Sequence, residues 1–253
     1  MSTNEKETSF TAHLINLTRK TSDSNPIHPF LHAAGKGLIP KRTLSRWLSQ
    51  DRLYAQAYVR FIGLLLAKCH LPIHPTGDDC LQSRTVAILI DALVNIQREL
   101  RFFEEVAEEY GLDLTVVPTG EEAFGPNPIT LAYMDLFMSA GSPGASLWEG
   151  LVVLWATEVS YLQAWEVVRR VMSEAGEMEE DWDGGALRNR FIPNWTSTEF
   201  REFVDEIAVV VDTMHSRMAK DGDEKVQLEG RCERWWRQVK GLEERFWPDV
   251  EER

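Results

Sequence analysis

Cysteine is scarce in this chain: Cys69, Cys80 and Cys232 are the only three in 253 residues. They have no paired spacing and no histidine cluster beside them, which excludes a disulfide framework and a structural zinc and fits a reducing compartment. Blocks of basic residues are missing as well. Pro40-Lys41-Arg42 is the kind of short fragment found, against a formal net charge of −13. Nucleic-acid binding is therefore not expected, because a phosphate backbone must be neutralised by clustered cations. No apolar run reaches the roughly 20 residues of a membrane span, and the opening MSTNEKETSF is polar and acidic, unlike a signal peptide. The expectation is a cytoplasmic protein with no membrane partner. Alternating β-branched runs are absent too, which leaves helices.

What the chain does have is apolar content, 43% of its residues, enough to bury a sizeable core. Residues 1–253 read as one domain. Helices are expected over Phe10–Arg19, Phe30–Gly37, Pro40 to about Cys69, Cys80–Tyr110, Ile129–Ala140, Ser146 to about Met172, Ser197–Ala219 and Asp223–Trp247. The longest carries Val86, Leu89, Ile90, Leu93, Ile96, Leu100 and Phe103 at the helical period and is stopped by Gly111. Two prolines mark SDSNPIHP as a turn, VVPTGEEAFGPNP reads as a loop, and the acidic SEAGEMEEDWDGG reads as a solvated one. The class is all-α, with seven or eight helices in one bundle. GASLWEGLVVLWATEVSYLQAW, apolar nearly all round, is its central helix.

Polar residues on apolar stripes mark the candidate site. In QDRLYAQAYVRF, Asp51, Tyr54 and Tyr58 stand at i, i+3 and i+7, on one face beside Leu53, Ala57 and Phe61. A carboxylate there needs partners: tyrosine hydroxyls, an arginine such as Arg60, or a ligand. In the central helix Thr157 and Tyr161 share a face, while Glu158 points about 100° away and is not assigned to the pocket. On the last helix Glu243 shares a side with Trp236, Val239, Phe246 and Trp247, and burial there raises a carboxyl pKa. Asp51 and Glu243, with tyrosines among their candidate neighbours, form the best pocket constellation in the sequence. Cys232 reads as a buried structural thiol, and His28 and His32 as capping or surface groups. No metal or other cofactor is called for.

The same residues carry a resemblance. NPIHPFLHAAGKGLIPKRTLSRWLSQDRLYAQAYVRF, ELRFFEEVAEEYGL, TLAYMDLF, LVVLWATEVSY and LEERFW, in that order from Phe10 to Trp247, resemble the TenA family of thiaminase II and aminopyrimidine hydrolases. The resemblance implies a haem-oxygenase-like helical bundle, a homo-oligomer (dimer or tetramer), and a deep pocket for 4-amino-2-methylpyrimidine compounds. It assigns Asp51 and Tyr54 to the pyrimidine contact, Tyr133 and Tyr161 to the pocket, and Glu243 to catalysis, with Glu233 as the alternative register.

One position departs from the pattern. Thr157 stands where thiaminase-type members have their nucleophilic cysteine, and an alcohol is a much weaker nucleophile without a base. Trp195 stands where many members have a pocket tyrosine, as a loop plug or as a stacking platform. The resemblance thus implies a variant without the cysteine, of fungal type, with weak or absent thiaminase activity. Two functions follow: hydrolysis of a C–N bond in an aminomethyl- or formylaminomethyl-pyrimidine, or pyrimidine binding without catalysis.

Overall fold

Side-chain caps and prolines set several of the helix starts. Asn127 accepts from the amides of Ile129 and Thr130 at 3.0 and 2.8 Å, with Pro128 next in line. Ser146 and Glu149 form a reciprocal capping box, and Ser197 accepts from Phe200 N. His28 Nδ1 accepts from Phe30 N at 3.2 Å, the capping role expected of it, and His32 is exposed. Gly111 ends its helix in the left-handed region, φ 64°, as the sequence predicts.

The computed structural model describes residues 9–22, 27–71, 73, 80–176, 180–218 and 222–250. Among these, the α-helices are α1 (Phe10–Ser22), α2 (Pro29–Gly35), α3 (Lys41–Leu66), α4 (Leu81–Tyr110), α5 (Pro128–Gly141), α6 (Leu147–Ala175), α7 (Ile192–Trp195), α8 (Thr198–Arg217) and α9 (Asp223–Phe246), with a π-helical turn at Leu187–Phe191 before α7. No strand occurs among the described residues, and the class is all-α. The expected eight helices are all present. The π turn and α7 are additions, in a stretch where the sequence offered no clear period. Residues 23–26 of the turn expected at SDSNPIHP lie outside the described residues.

α6 is central, as its apolar circumference requires. It packs against α2, α5, α8 and α9, while α3 lies against α4 and α5 and α4 against α8. The core runs continuously through Trp47, Trp155, Trp165, Trp236 and Phe137, each at most 2% exposed. The Glu149 cap is shared: Arg231 Nε donates to its Oε1 at 2.9 Å, tying the start of α6 to α9. Cys232 is fully buried, and burial pushes its thiol pKa up, an inert environment. No helix among the described residues is long and apolar enough to cross a membrane.

The acidic run is only partly a solvated loop. Asp183 is buried and accepts from Gly185 N and Leu187 N at 2.8 and 2.7 Å, and Asp181 pairs with Arg188 Nε at 2.8 Å. Trp182 N donates to Gly37 O at 2.9 Å, where Gly37 takes φ 67°. These carboxylates are consumed by backbone amides and an arginine, because the chain must turn sharply into the π helix here. Residues 177–179 lie outside the described residues.

Candidate active site

α3 presents Asp51, Tyr54 and Tyr58 to a cavity of about 470 Å³ that α4, α6, α7 and α8 close from the other sides. α6 contributes Thr157, Glu158 and Tyr161, α4 contributes Ile96, Glu99 and Phe103, and Asn194 and Trp195 follow from the π turn. Asp51 is 3% exposed. Its Oδ2 accepts from the Tyr161 hydroxyl at 3.1 Å, and Arg60 is exposed on another face. Burial foremost, then the nearby Glu99 and Glu243 charges, raise the Asp51 pKa well above the carboxylate range, with the Tyr161 hydrogen bond opposing.

Thr157 is 2% exposed and donates from Oγ1 to Leu154 O at 2.9 Å. Its hydroxyl also interacts with that of Tyr54. Trp195 is 3% exposed; its ring packs on Phe191 at 4.7 Å and Trp165 at 4.3 Å, and its indole N–H donates to Glu99 Oε1. Trp195 is a packed wall of the cavity with its one donor committed.

Tyr133 and Glu243 sit one layer deeper and are absent from the cavity lining. The Tyr54 ring, 5.1 Å from that of Tyr133 and edge-on, stands in front of them. The Tyr133 hydroxyl donates to Glu243 Oε2 at 2.8 Å, while Oε1 is buried without a hydrogen-bond partner. Burial raises the Glu243 pKa, opposed by the Tyr133 bond and by Lys240. Glu233, the alternative acid, is elsewhere: it accepts from Arg237 at 2.9 Å and bonds His13 at 3.0 Å. Thus Asp51, Tyr54, Thr157, Tyr161 and Trp195 meet in the cavity, and Tyr133 and Glu243 form a pair behind it.

Four further acids line the cavity, the exposed Glu105 and Glu199 and the less exposed Glu99 and Glu158. Glu99 accepts from Asn194 Nδ2 at 3.1 Å as well as from Trp195, and burial lifts its pKa to about 7. Glu158 also reaches about 7 through burial, with an interaction from the Tyr58 phenol opposing and the Glu99 charge adding to the shift. A helix of about 5 Å pitch shows more than one stripe to a cavity this wide, which is why Glu158 joins Thr157 despite pointing elsewhere. Glu99 had a sequence signal: it stands at i+7 from Ala92, i+3 from Ile96 and i−4 from Phe103, an acid on the inward stripe of α4. No group of three or more His, Cys, Asp or Glu among the described residues could hold a metal ion.

Residues 16–229 match the model of the TENA/THI-4/PQQC family. The chain belongs to that family. Its fold is also that of solved family members: a TenA homologue from Pyrococcus furiosus is 26% identical with TM-score 0.71, covering 94% of this chain and 98% of that one. A TenA homologue from P. horikoshii OT3 superposes with TM-score 0.70 at 18% identity, covering 94% of this chain and 96% of that one. The family bundle is all-α and haem-oxygenase-like. Among curated relatives, a probable transcription factor of Fusarium pseudograminearum is 28% identical over 233 residues, 81% of this chain and 45% of its own. A probable bifunctional TENA-E protein of Glycine max is 24% identical over 54% of each chain. An aminopyrimidine aminohydrolase of Halalkalibacterium halodurans is 24% identical over 87% of this chain and 88% of its own. The chain thus spans about half the length of the first two and most of the third.

Proposed function

We propose that this family member binds 4-amino-2-methylpyrimidine compounds in the cavity and hydrolyses a C–N bond of their aminomethyl or formylaminomethyl arm without a cysteine nucleophile. The observation that carries this is Asp51: a carboxyl buried at the cavity wall, with a neutral phenol on Oδ2 and no cationic partner among the described residues. The amidine-like edge of an aminopyrimidine supplies what that carboxyl lacks, an N–H donor beside a ring nitrogen able to share its raised-affinity proton. The aminohydrolase named among the relatives supports the same reading.

In this reading water attacks the carbon of the scissile bond. The C–O bond forms as the C–N bond breaks, one water proton passes to a carboxylate, and a proton returns to the departing nitrogen. The aminomethyl arm gives a hydroxymethyl arm and ammonia; the formylamino arm gives the amine and formate. Glu243 is the proton carrier, with its unpartnered Oε1 as the receiving atom, and the Tyr54 side chain has to swing aside for that oxygen to meet the water. Asp51 keeps a separate role, since the two acids differ in environment. The reading takes residues 1–253 as one helical domain acting in the cytoplasm, as composition suggests, and as a homo-oligomer, as the family resemblance implies.

A second reading rests on Thr157, whose hydroxyl is spent on Leu154 O and on the Tyr54 hydroxyl: the protein holds the pyrimidine and does not turn it over. Binding of 4-amino-5-hydroxymethyl-2-methylpyrimidine to wild type and Asp51→Asn tests the shared core of both. The substitution should weaken binding by about 1.5–3 kcal/mol. Equal affinity for the two proteins removes Asp51 from the recognition role.

A further inference from the structure

Tyr54 belongs to both layers of the site. It lines the cavity from α3, and its ring packs edge-on against Tyr133 at 5.1 Å and tilted against Phe137 at 5.2 Å and Phe246 at 5.9 Å. Tyr133 holds Glu243 Oε2, and Phe246 follows Glu243 by about one turn of α9. The ring therefore screens the Glu243 carboxyl, 7% exposed, from the cavity.

The directional restraint on Tyr54 is at the other end of its side chain. Its hydroxyl interacts with that of Thr157, from α6. Thr157 has one hydroxyl proton and gives it to Leu154 O at 2.9 Å, so in this pair the threonine oxygen accepts and the phenol donates. Burial foremost pushes the Tyr54 pKa well above its ordinary 10, which keeps that donor protonated. The acceptor is a fixed point: a buried β-branched side chain with few χ1 choices, tied to the backbone of the central helix.

We propose that Thr157 is a positioning residue that latches Tyr54 shut across Glu243. The role of Glu243 as proton carrier rests on the hydrolytic reading above; the latch rests on the side-chain positions. Shut, the phenol ring separates water in the cavity from Glu243 Oε1, which has no hydrogen-bond partner among the described residues. A turn of Tyr54 about χ1 joins them. The position that matches a nucleophile in the resemblance thus regulates access to the acid in place of attacking the ligand. Removing the latch should make the site faster, the opposite of what loss of a nucleophile or of a packing contact does.

Chemical labelling of the intact protein, with no ligand present, tests the latch. A water-soluble carbodiimide and a small amine convert accessible carboxyls to amides, and mass spectrometry of the α9 peptide reads Glu243 against Glu244, its exposed neighbour. Thr157→Val keeps the shape and drops the acceptor, Tyr54→Phe drops the donor, and Thr157→Ser keeps the hydroxyl. Relative to Glu244, Glu243 should be labelled about 3- to 10-fold faster in Thr157→Val and in Tyr54→Phe, the scale of one neutral hydrogen bond. The double variant should add nothing further, because both changes remove one interaction, and Thr157→Ser should match wild type. Tyr54→Phe carries the test by itself if Thr157→Val does not fold. With a formylaminomethyl-pyrimidine as substrate, kcat should rise in Thr157→Val by a similar factor, with KM unchanged. Labelling of Glu243 that does not respond to either single variant, or that is as fast as that of Glu244 in wild type, overturns the latch. A kcat that falls in Thr157→Val with labelling unchanged also overturns it and returns Thr157 to the chemistry. If labelling responds as expected and no protein turns over, the latch stands and the hydrolytic reading falls.

Discussion

The Tyr133 hydroxyl, from α5, donates to Glu243 Oε2, from α9, at 2.8 Å, and leaves Oε1 buried with no partner. An orphaned carboxylate oxygen is costly in a folded interior and persists where it has a use or holds a proton. Glu243→Gln keeps the shape and removes the proton shuttle. Hydrolysis of aminomethyl- or formylaminomethyl-pyrimidines should fall at least about 10²-fold with ligand binding largely kept. If wild type and variant both show no turnover, the binding-protein reading stands; if both turn over equally, the role passes to Glu158, which faces the cavity directly.

Thr157 sets the second expectation. Wild type should cleave thiamin very slowly or not at all, because the position needs a thiolate and the hydroxyl is tied to Leu154 O. Thr157→Cys should gain thiamin cleavage, read by release of the pyrimidine product. Wild-type cleavage unchanged by Thr157→Val would show that this residue is no part of the chemistry.

Glu99 gives a pH dependence of stability. Its carboxyl rises from the ordinary 4.5 to about 7 on folding, so the folded state holds the proton more tightly than the unfolded one. The stability this contributes is fully present below about pH 4.5 and is lost as pH climbs to about 7. The loss is on the order of 3 kcal/mol as an upper figure. Glu99→Gln lacks it. Urea midpoints should show the variant more stable than wild type at pH 8, with the gap closing toward pH 5; a difference that stays constant across that window contradicts the assignment.

Gly35 gives a packing test far from the chemistry. A β-carbon there would lie 2.7 Å from Val168 O and 2.7 Å from Val171 Cβ, where α2 meets α6. Alanine favours helices by up to about 1 kcal/mol over glycine, but the clash involves backbone and cannot be relieved by a rotamer. Gly35→Ala should therefore destabilise by about 1–3 kcal/mol net, visible as a lower thermal midpoint with ligand affinity retained in the folded protein.

The fold was largely legible because long helices repeat their apolar spacing many times: α3, α4, α6 and α9 were each recognisable within a few residues of their ends. Asp51 and Glu243 stood out as single acids on apolar stripes, and both prove buried. Glu99 obeyed the same rule but was hidden by the acids around it in α4, such as Glu104 and Glu105, which are exposed. Glu158 was unreadable from one-stripe logic, since the cavity spans more of α6 than one stripe. The Leu187–Phe191 turn carries no period of its own, because a π turn bonds residue i to i+5 where pattern reading assumes the i to i+4 bonds of an α-helix. Asp181 and Asp183 looked like solvated charge, and only the fold shows the amides and the arginine that bind them.

That π turn fixes a length. Each residue removed from a helix rotates everything after it by about 100°, and α7, which carries Asn194 and Trp195, comes directly after the turn. A one-residue deletion between Leu187 and Pro193 would swing both donors off Glu99, while most single substitutions on the exposed side of the turn would not. The segment is thus open to drift in spelling and closed to drift in count, and relatives that shorten it would have to hold their cavity wall with different residues.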